Sequence, residues 1–345
     1  MIENSTTFAT IPMQQVGPIK ITGPIVNEEV TVPMATYETP VWPSTGRGAR
    51  VSMQSGGIQT VIVDERMSRS IAVKAENAEA AVRVLQDVVA RKNDVERITQ
   101  ATSRFARFQD LHFQIVGNML YVRLEMTTGD ASGHNMVTKA ADALMNWMLH
   151  EFPELDYVSV SGNFCTDKKV SAVNGILGRG KNVVAELTIP EKICRRYLKT
   201  TPEKLVDINI KKNLYGSIIA GGVRTANAHF ANMLLAFYLA TGQDAANIIE
   251  GSQGFVSAET VGSDLYFAVT LPNLIVGTVG AGKGLEFVEK NLAMMGCKQE
   301  RQPGDNARRL AAIAAATVLC GELSLLAALT NPGELMQAHE SLERT

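Results

Sequence analysis

Hydrophobic and polar residues alternate differently in successive parts of the chain, and each change predicts a different kind of structure. Glycine and proline interrupt residues 1–70, which predicts short extended segments, including an alternating strand over residues 29–34. Helical periodicity then begins after Asn77, a residue type that caps helices. The apolar face of this helix comprises Ala81, Val82, Leu85, Val88 and Val89.

The pattern after this helix predicts four more elements. They are a second helix over residues 94–105, a hairpin over 112–126, a helix over 135–150 and a strand over 157–160. The hairpin turns at Gly117 and Asn118, and its second arm alternates apolar residues with Tyr121, Arg123 and Glu125. The order strand, helix, hairpin, helix, strand predicts a small ferredoxin-like α+β unit inserted into a larger domain.

The larger domain resumes beyond residue 161. A helix over residues 226–239 is apolar almost all round except at His229 and Asn232, which predicts a buried central helix. A last helix over 307–329 stops at Asn331-Pro332-Gly333. We therefore predict an α+β fold divided into four parts. They are a large domain (1–70 and 172–330), a small domain (71–158), a loop linking the two (159–171) and a C-terminal segment (331–345).

Composition narrows the class of protein. The 345 residues suffice for about two or three domains. Because 33 basic residues face 35 acidic ones, no overall basic field favours nucleic acid or a membrane surface. The longest mostly apolar stretch, residues 310–320, is shorter than the roughly 18 residues of a membrane span, and the first residues lack an export signal. Four cysteines without a CxxC pair favour a cytoplasmic protein without a structural metal.

Glycine-rich turns offer two nucleotide-binding motifs that we reject. Residues 277–283 fit the phosphate-binding loop pattern, but Gly284 stands where that loop needs Ser or Thr. The same glycines have the wrong spacing and position for a Rossmann fold. We interpret them as a tight turn that needs small residues.

Five polar strings carry a more specific signal. They are VPMATYE (32–38), GDASGHNM (129–136), SGNFCTDKK (161–169), TGQDAA (241–246) and GTVGAG (277–282). Taken alone, the 161–169 string is equally typical of a solvated charged loop. In this order and spacing, however, the five strings resemble those of 3-hydroxy-3-methylglutaryl-CoA reductases of the soluble class I type. The resemblance covers roughly residues 10–340.

The resemblance implies an activity and its catalytic residues. Members of the family reduce the thioester to mevalonate, an isoprenoid precursor, in two hydride transfers from NADPH through mevaldehyde. The matching catalytic residues are Glu38, Lys168, Asp244 and His339. Lys168 would stabilise the oxyanion of each step, Glu38 would protonate the second-step alkoxide, and His339 would protonate the CoA thiolate from a C-terminal flap. Asp244 would lie beside Glu38 and Lys168.

The resemblance also implies binding residues. Those matching contacts to the hydroxymethylglutaryl group are Arg69, Ser161, Asp167, Lys169, Lys212, His229 and Asn232. Those matching contacts to CoA are Ser44, Arg47 and Arg50, although the two arginines alone would also suit a plain surface pair. Those matching the non-Rossmann nicotinamide site of the small domain are Ser103, Arg104, Asp130, Ser132, Gly133, His134, Asn135 and Met136. Ser103 and Arg104 correspond to 2′-phosphate contacts, which favours NADPH over NADH.

Subunit organisation and two alternative functions complete the expectations. The resemblance implies a homodimer or higher oligomer whose active sites lie between subunits, with the lysine loop of one reaching the glutamate and aspartate of the other. One alternative is the reverse reaction, NAD-dependent oxidation of mevalonate. The other is a CoA-thioester-binding protein without catalysis.

Overall fold

The computed structural model describes residues 7–343, without the side chains of residues 338, 339 and 341–343. The strands are β1 Met13–Thr22, β2 Glu28–Ala35, β3 Ile58–Lys74, β4 Arg107–Val116, β5 Met119–Thr127, β6 Asp156–Ser159, β7 Gly180–Ile189, β8 Phe255–Val261 and β9 Asp264–Leu274. The helices of the first half are α1 Val41–Gln54, α2 Ala78–Ala90, α3 Lys92–Gln100, α4 His134–Glu151 and α5 Val173–Leu177.

The remaining helices follow β7. They are α6 Glu191–Ile193, α7 Pro202–Ile208, α8 Ser217–Ile219, α9 Phe230–Ala240, α10 Ile248–Gly251, α11 Glu286–Met294, α12 Asp305–Leu329 and α13 Glu334–Glu343. Short π-helical segments, Cys194–Leu198 and Asn209–Gly216, and the 3-10 turn Ala245–Asn247 lie between them.

Strand β3 belongs to two groups of strands at once. Its first part, from Gln59 to Arg66, pairs with β7 in the order β2-β1-β3-β7-β9-β8. Its second part, from Met67 to Lys74, pairs with β5 and continues the order β4-β5-β3-β6. All pairings in this second group are antiparallel, and the order agrees with a ferredoxin-like βαββαβ unit. One strand therefore runs through the boundary that we placed at residue 70, and the division into domains stays a prediction.

Each group of strands has its own hydrophobic core. The larger core packs α9 and α12 against β1–β3, β7 and β9. The smaller core packs α2 and α4 against β3–β5. The fold is thus a mixed α and β fold, as predicted, and the predicted central helix of the large part is buried. It begins at Phe230, later than residue 226, so that His229 precedes the helix.

Helix α12 corrects the estimate of apolar length. The predicted helix over 307–329 is confirmed as Asp305–Leu329, and its apolar character continues past residue 320, with a mean hydropathy of 2.0 in its most apolar window. By length and composition this described helix could cross a membrane, but 94% of that window is buried inside the protein. A side chain at Gly321 would collide with Met233 of α9, so the glycine permits close packing of the two helices.

Helix α1 was wrongly predicted as extended structure. Pro43 lies in its first turn, where the helix has no internal partner for the backbone N–H that proline lacks. Gly48 faces α12, and a Cβ there would collide with the main chain of Cys320. Gly48 therefore allows two helices to touch, which places Ser44 and Arg47 beside α12.

Local predictions in the small unit were confirmed with exceptions. The Asn77 side chain caps α2 by accepting the Ala80 N–H at 2.9 Å, and the hairpin turns at the predicted residues. Val82 and Val89 are exposed rather than part of the buried face. The second helix ends at Gln100 rather than at residue 105. On β5, Arg123 is buried because Glu125, Asn174 and the main-chain carbonyls of Phe164 and Gly178 bind it.

Candidate active site

Lys168 and Asp244 form an ion pair. Lys168 lies in the loop that follows β6, and its Nζ is 2.7 Å from Oδ2 of Asp244. Asp244 is fixed at the start of the 3-10 turn, where its carboxylate accepts the Ala246 N–H at 3.1 Å. The hydrogen bond that the Lys168 ammonium donates to Asp244 raises the pKa of Lys168. Burial acts to raise the pKa of Asp244, but the hydrogen bonds from Lys168 and Ala246 outweigh it and the pKa is lowered. Both groups are therefore charged at neutral pH.

Asp167 gathers three basic side chains next to this pair. Its carboxylate accepts a hydrogen bond from Arg179 Nη2 at 2.6 Å and lies 3.8 Å from Arg69 Nη2 and 3.6 Å from His134 Nε2. Burial opposes ionisation of Asp167, yet the nearby charges, chiefly that of Arg179, lower its pKa. Arg69 Nη1 in turn donates to Ser161 Oγ at 3.3 Å. The structure therefore brings four of the predicted residues into one polar cluster.

His134 is neutral within this cluster. Burial lowers the pKa of its imidazole to about 4, and the charge of Arg179 acts in the same direction. Its Nε2 is buried and has no hydrogen-bond partner among the described residues. An imidazole at the first position of α4 thus faces the carboxylate of Asp167 with a free polar atom.

Two buried residues under the loop were missed from the sequence. Arg179, between two glycines before β7, has no exposed side-chain surface and binds both Asp167 and the main chain of Ser68. Glu250, at the end of the apolar α10, is also fully buried and accepts the Lys168 N–H at 3.1 Å. An arginine flanked by glycines is a weak signal, and nothing in the sequence distinguishes Glu250 from a surface acid.

Lys169 and Lys212 stay outside the cluster. Lys169 is exposed, and its Nζ bonds to the main-chain oxygen of Asp167 at 3.1 Å. Lys212 is exposed and approaches Asn213 Oδ1 at 3.5 Å. Within one chain these two predicted substrate ligands therefore face solvent.

Glu38 lines a separate pocket. The cavity, of about 510 Å³, is lined by Glu38, Ser44, Arg47, Arg50, His229 and Asn232 among others. Asn232 Nδ2 donates to Glu38 Oε2 at 2.9 Å. The His229 and Ala228 N–H groups donate to the buried carboxylate of Glu322, whose pKa burial raises. His229 Nε2 is buried and has no partner among the described residues.

The predicted catalytic residues thus form two groups in the described chain. Lys168 contacts Asp244 of its own chain, which differs from the expectation that the lysine reaches the aspartate of a partner. No hydrogen bond or ion pair between described residues joins Glu38 to either of them. Within one chain Glu38 follows β2, whereas the loop and the 3-10 turn follow β6 and α9, so the expectation that all three lie together between subunits stays a prediction.

The C-terminal segment is helical, and Arg47 ties it to α1. Arg47 Nε donates to Ser324 Oγ at 2.9 Å and its Nη1 lies 2.5 Å from Glu334 Oε1 in the first turn of α13. Ser44 Oγ also contacts Ser324 Oγ at 2.9 Å. Arg47 is therefore not a plain surface residue, whereas Arg50 is exposed. His339 lies on α13, but its side chain is outside the described part of the structure.

The predicted cofactor residues surround the start of α4. Gly133 precedes the helix with φ 96°, a conformation that favours glycine, and no side chain caps the first turn. Asn135 is exposed there, and Ser132 and Met136 are half-buried. The Asp130 carboxylate is occupied, since it accepts the Gly304 and Ala307 N–H groups at 3.0 Å at the start of α12. The main-chain N–H groups in the first turn of α4 are therefore the groups at this site that could bind an anion.

Ser103 and Arg104 lie in the loop after α3. The Ser103 hydroxyl accepts the Phe105 N–H, and Arg104 is exposed with its guanidinium over the Phe105 ring, 4.7 Å from the centroid. A Cβ at Gly129 would lie 3.7 Å from Phe105, so this loop borders the 129–136 string. The structure therefore brings the two predicted cofactor segments together.

The glycine turn at 277–283 has a structural role. Lys283 is buried, and its Nζ donates to the main-chain oxygen of Gly242, two residues before Asp244. Gly280 and Gly282 have φ values of 105° and 81°. The lysine of the apparent phosphate-binding loop thus holds the protein's own backbone, in agreement with our interpretation of a tight turn.

Comparison with known proteins identifies the family. The family model described as hydroxymethylglutaryl-coenzyme A reductase matches residues 1–344. The chain belongs to this family. It is 44% identical to the 3-hydroxy-3-methylglutaryl-coenzyme A reductase of Pyrococcus abyssi over 99% of this chain and 84% of that protein. It is 42% identical to reductase 1 of Oryza sativa subsp. japonica over 98% of this chain and 64% of that protein.

Solved structures of the family share the fold. A class II 3-hydroxy-3-methylglutaryl-CoA reductase from Streptococcus pneumoniae, determined bound to NADPH, superposes with a TM-score of 0.75 at 19% identity. The match covers 95% of this chain and 87% of that one. The family model and the curated relatives confirm the resemblance that the five polar strings suggested, and with it an oxidoreductase.

Proposed function

We propose that the chain reduces 3-hydroxy-3-methylglutaryl-CoA to mevalonate and CoA, with two NADPH, through mevaldehyde. The observation that carries this proposal is the Lys168–Asp244 ion pair beside the cluster of Asp167, Arg69 and Ser161. An ammonium held by a carboxylate is suited to stabilise negative charge on a carbonyl oxygen. NADPH, when bound, supplies the hydride of each reduction and leaves as NADP⁺.

Each residue group handles one charge or proton. The Lys168 ammonium stabilises the oxyanion formed when the thioester carbon is reduced, and again polarises the aldehyde. Loss of the C–S bond releases a thiolate, which the imidazolium of His339 protonates. Glu38, held by Asn232, gives a proton to the alkoxide of the second step. Two protons are thus consumed with the two hydrides.

We assign the binding residues to three ligands: the hydroxymethylglutaryl group, CoA and NADPH. Arg69, Ser161, Asp167 and Lys169 hold the carboxylate and hydroxyl of the substrate, and His229, Asn232 and Lys212 complete this site. The pocket with Ser44, Arg47 and Arg50 takes CoA, whose phosphates suit the arginines. In residues 71–158, the uncapped start of α4 suits a pyrophosphate and the exposed Arg104 suits the 2′-phosphate of NADPH.

A homodimer would unite the two residue groups. Exposed apolar side chains flank the Lys168 loop and continue on α8; these are Val170 (59% exposed), Ile176 (67%), Ile218 (75%) and Ile219 (86%). Apolar surface of this kind marks contact with another protein. We propose that it joins two copies so that the loop of one faces the Glu38 pocket of the other.

The class I assignment and the cytoplasmic location are part of the proposal. Identity is 44% to the archaeal relative and only 19% to the enzyme described as class II, which favours class I. All four cysteines are buried and free, which suits a reducing compartment.

Steady-state kinetics test the function. The purified chain should oxidise NADPH in the presence of 3-hydroxy-3-methylglutaryl-CoA and release two NADP⁺ per mevalonate, with NADH much less effective. A faster reaction of mevalonate, CoA and NAD⁺ would favour the reverse, degradative role. Binding of the thioester without turnover of either nicotinamide would favour a non-catalytic protein.

A further inference from the structure

One short helical segment holds Lys168 at two points. Asp244 stands at the start of this segment, which consists of the 3-10 turn and α10, and Glu250 stands near its end. Asp244 Oδ2 binds the side-chain ammonium at 2.7 Å. Glu250 Oε1 accepts the main-chain N–H of the same lysine at 3.1 Å. The side chain and the backbone of one residue are thus fixed by the same element.

The backbone of Lys168 needs such support. Its φ is 55°, in the left-handed region that residues other than glycine rarely adopt. Thr166, with a φ of 41°, is in the same region. Strained residues of this kind persist where their surroundings fix them. In the described structure, Glu250 is the hydrogen-bond acceptor of the Lys168 N–H. Its removal would leave the loop free to relax toward ordinary φ values.

Glu250 is itself rigidly held. It is fully buried, and the same Oε1 accepts Asn247 Nδ2 at 3.0 Å and lies 3.6 Å from Arg179 Nε. Arg179, fully buried too, binds Asp167 at 2.6 Å. Neighbouring residues 167 and 168 of the loop are therefore tied to one buried pair, Arg179 and Glu250. Burial raises the pKa of Glu250, and its Oε2 has no hydrogen-bond partner among the described residues, so Oε1 makes the contacts that hold the loop.

We propose that Glu250 is a positioning residue for the reduction, because its carboxylate fixes the main chain of Lys168 so that the ammonium meets Asp244 and faces the reacting carbonyl oxygen. Glu250 itself does not touch the substrate. The inference rests on the proposed function for the role of Lys168, and its geometric part can be measured without turnover.

Two conservative variants distinguish the length of the Glu250 side chain from its charge. Glu250→Gln keeps an oxygen at the same distance from the Lys168 N–H and removes the charge, whereas Glu250→Asp keeps the charge and withdraws the oxygen by one methylene. Ser252→Ala is the matched control, because Ser252 lies on the same turn and its hydroxyl donates to Ile249 O at 3.2 Å, away from Lys168. The readouts are kcat and KM for thioester and NADPH, and amide hydrogen exchange at Lys168.

A positioning role predicts that Glu250→Asp lowers kcat by about tenfold or more while KM for NADPH stays within about twofold, since only transition-state alignment is lost. The Lys168 amide should exchange about tenfold faster in Glu250→Asp. Glu250→Gln should retain most of the amide protection and of kcat, and Ser252→Ala should match the wild type.

The opposite order of the two variants overturns the proposal. In that case kcat and the protection of the Lys168 amide against exchange are at least as high in Glu250→Asp as in Glu250→Gln. Glu250 then acts through its charge and not through the hydrogen bond to Lys168. A wild-type chain without reductase activity would refute the proposed function instead. The exchange rates of the Lys168 amide would then still decide whether Glu250 positions the loop.

Discussion

Arg47 and Glu334 join the first helix to the last, with Nη1 and Oε1 2.5 Å apart at the edge of the Glu38 pocket. Burial raises the pKa of Glu334, but the hydrogen bonds from Arg47 and Asn331 lower it overall, so the pair is charged at neutral pH. The arginine that we assign to CoA therefore already has an anionic partner. Helix α13, which carries His339, is held at its first turn beside the Glu38 pocket.

His339 and Glu38 should affect different steps. His339→Gln should slow reduction of the thioester by about 100-fold and largely spare reduction of added mevaldehyde, because only the first step releases a thiolate. Glu38→Gln should impair the mevaldehyde step, since the alkoxide loses its proton donor. Rates with both substrates measure the contrast. If His339→Gln damaged both reductions equally, the histidine would serve closure of the helix rather than proton transfer.

Lys168→Ala should abolish both reductions. The loss of the ammonium removes the charge that faces each oxyanion and should cost about 3 kcal/mol or more in transition-state stabilisation, more than 100-fold in rate. Lys290→Ala, an exposed lysine of α11, is the control. The measurement is kcat/KM for the thioester and for mevaldehyde, and near-normal turnover of either would exclude Lys168 from that step.

Arg104→Ala should discriminate between the nicotinamides. KM for NADPH should rise about tenfold and KM for NADH should hardly change, because only NADPH carries the phosphate that the guanidinium neutralises. Arg97→Ala, an exposed arginine of the preceding helix α3, should leave both constants unchanged. Equal increases for the two cofactors would contradict the assignment of Arg104.

Cys165→Ala should remain active. The thiol is three residues from Lys168 but fully buried, so the thioester does not reach it, and hydride transfer to the carbonyl needs no acyl-enzyme. Activity should stay within about threefold of the wild type, the range typical of a substitution that leaves the chemistry intact. Detection of an acylated Cys165 by mass spectrometry would establish the covalent route instead.

Acid should destabilise the fold through His134. Burial lowers the pKa of this group from 6.5 to about 4, so between these values the unfolded chain binds more protons than the folded one. The free energy of unfolding therefore falls as the pH falls through this window, by at most about 3 kcal/mol from this group. The measurement is the free energy of unfolding in urea at about pH 7 and pH 4.5. Between these pH values it should fall by about 2 kcal/mol less in His134→Gln than in the wild type.

The control for this prediction lies on the same helix. The side chain of His150, at the other end of α4, is 84% exposed. His150→Gln should therefore lose as much unfolding free energy on acidification as the wild type. If His134→Gln and His150→Gln lost the same unfolding free energy on acidification, protonation of His134 would not contribute to the acid destabilisation and the prediction would be wrong.

Short-range patterns were sufficient for much of the small unit and for the family. The Asn77 cap, the hairpin at Gly117 and Asn118 and the five polar strings depend on residues close in sequence, and each was confirmed. Helix α1 was missed because Gly48 is explained only by its contact with Cys320 of α12, a residue far away in the sequence. Propensity alone predicts a turn there.

The arrangement of charges was decided by the tertiary structure. The sequence determined which residue types are present: the lysine loop, the acids at 38 and 244, and the arginines of α1. Only the folded chain decided that Arg179 and Glu250 are buried beneath Lys168 and that Glu38 stands apart with Asn232. The physical reason is that an isolated charge is not stable in the interior, so the position of a buried ion is set by partners from distant segments, which no local pattern records.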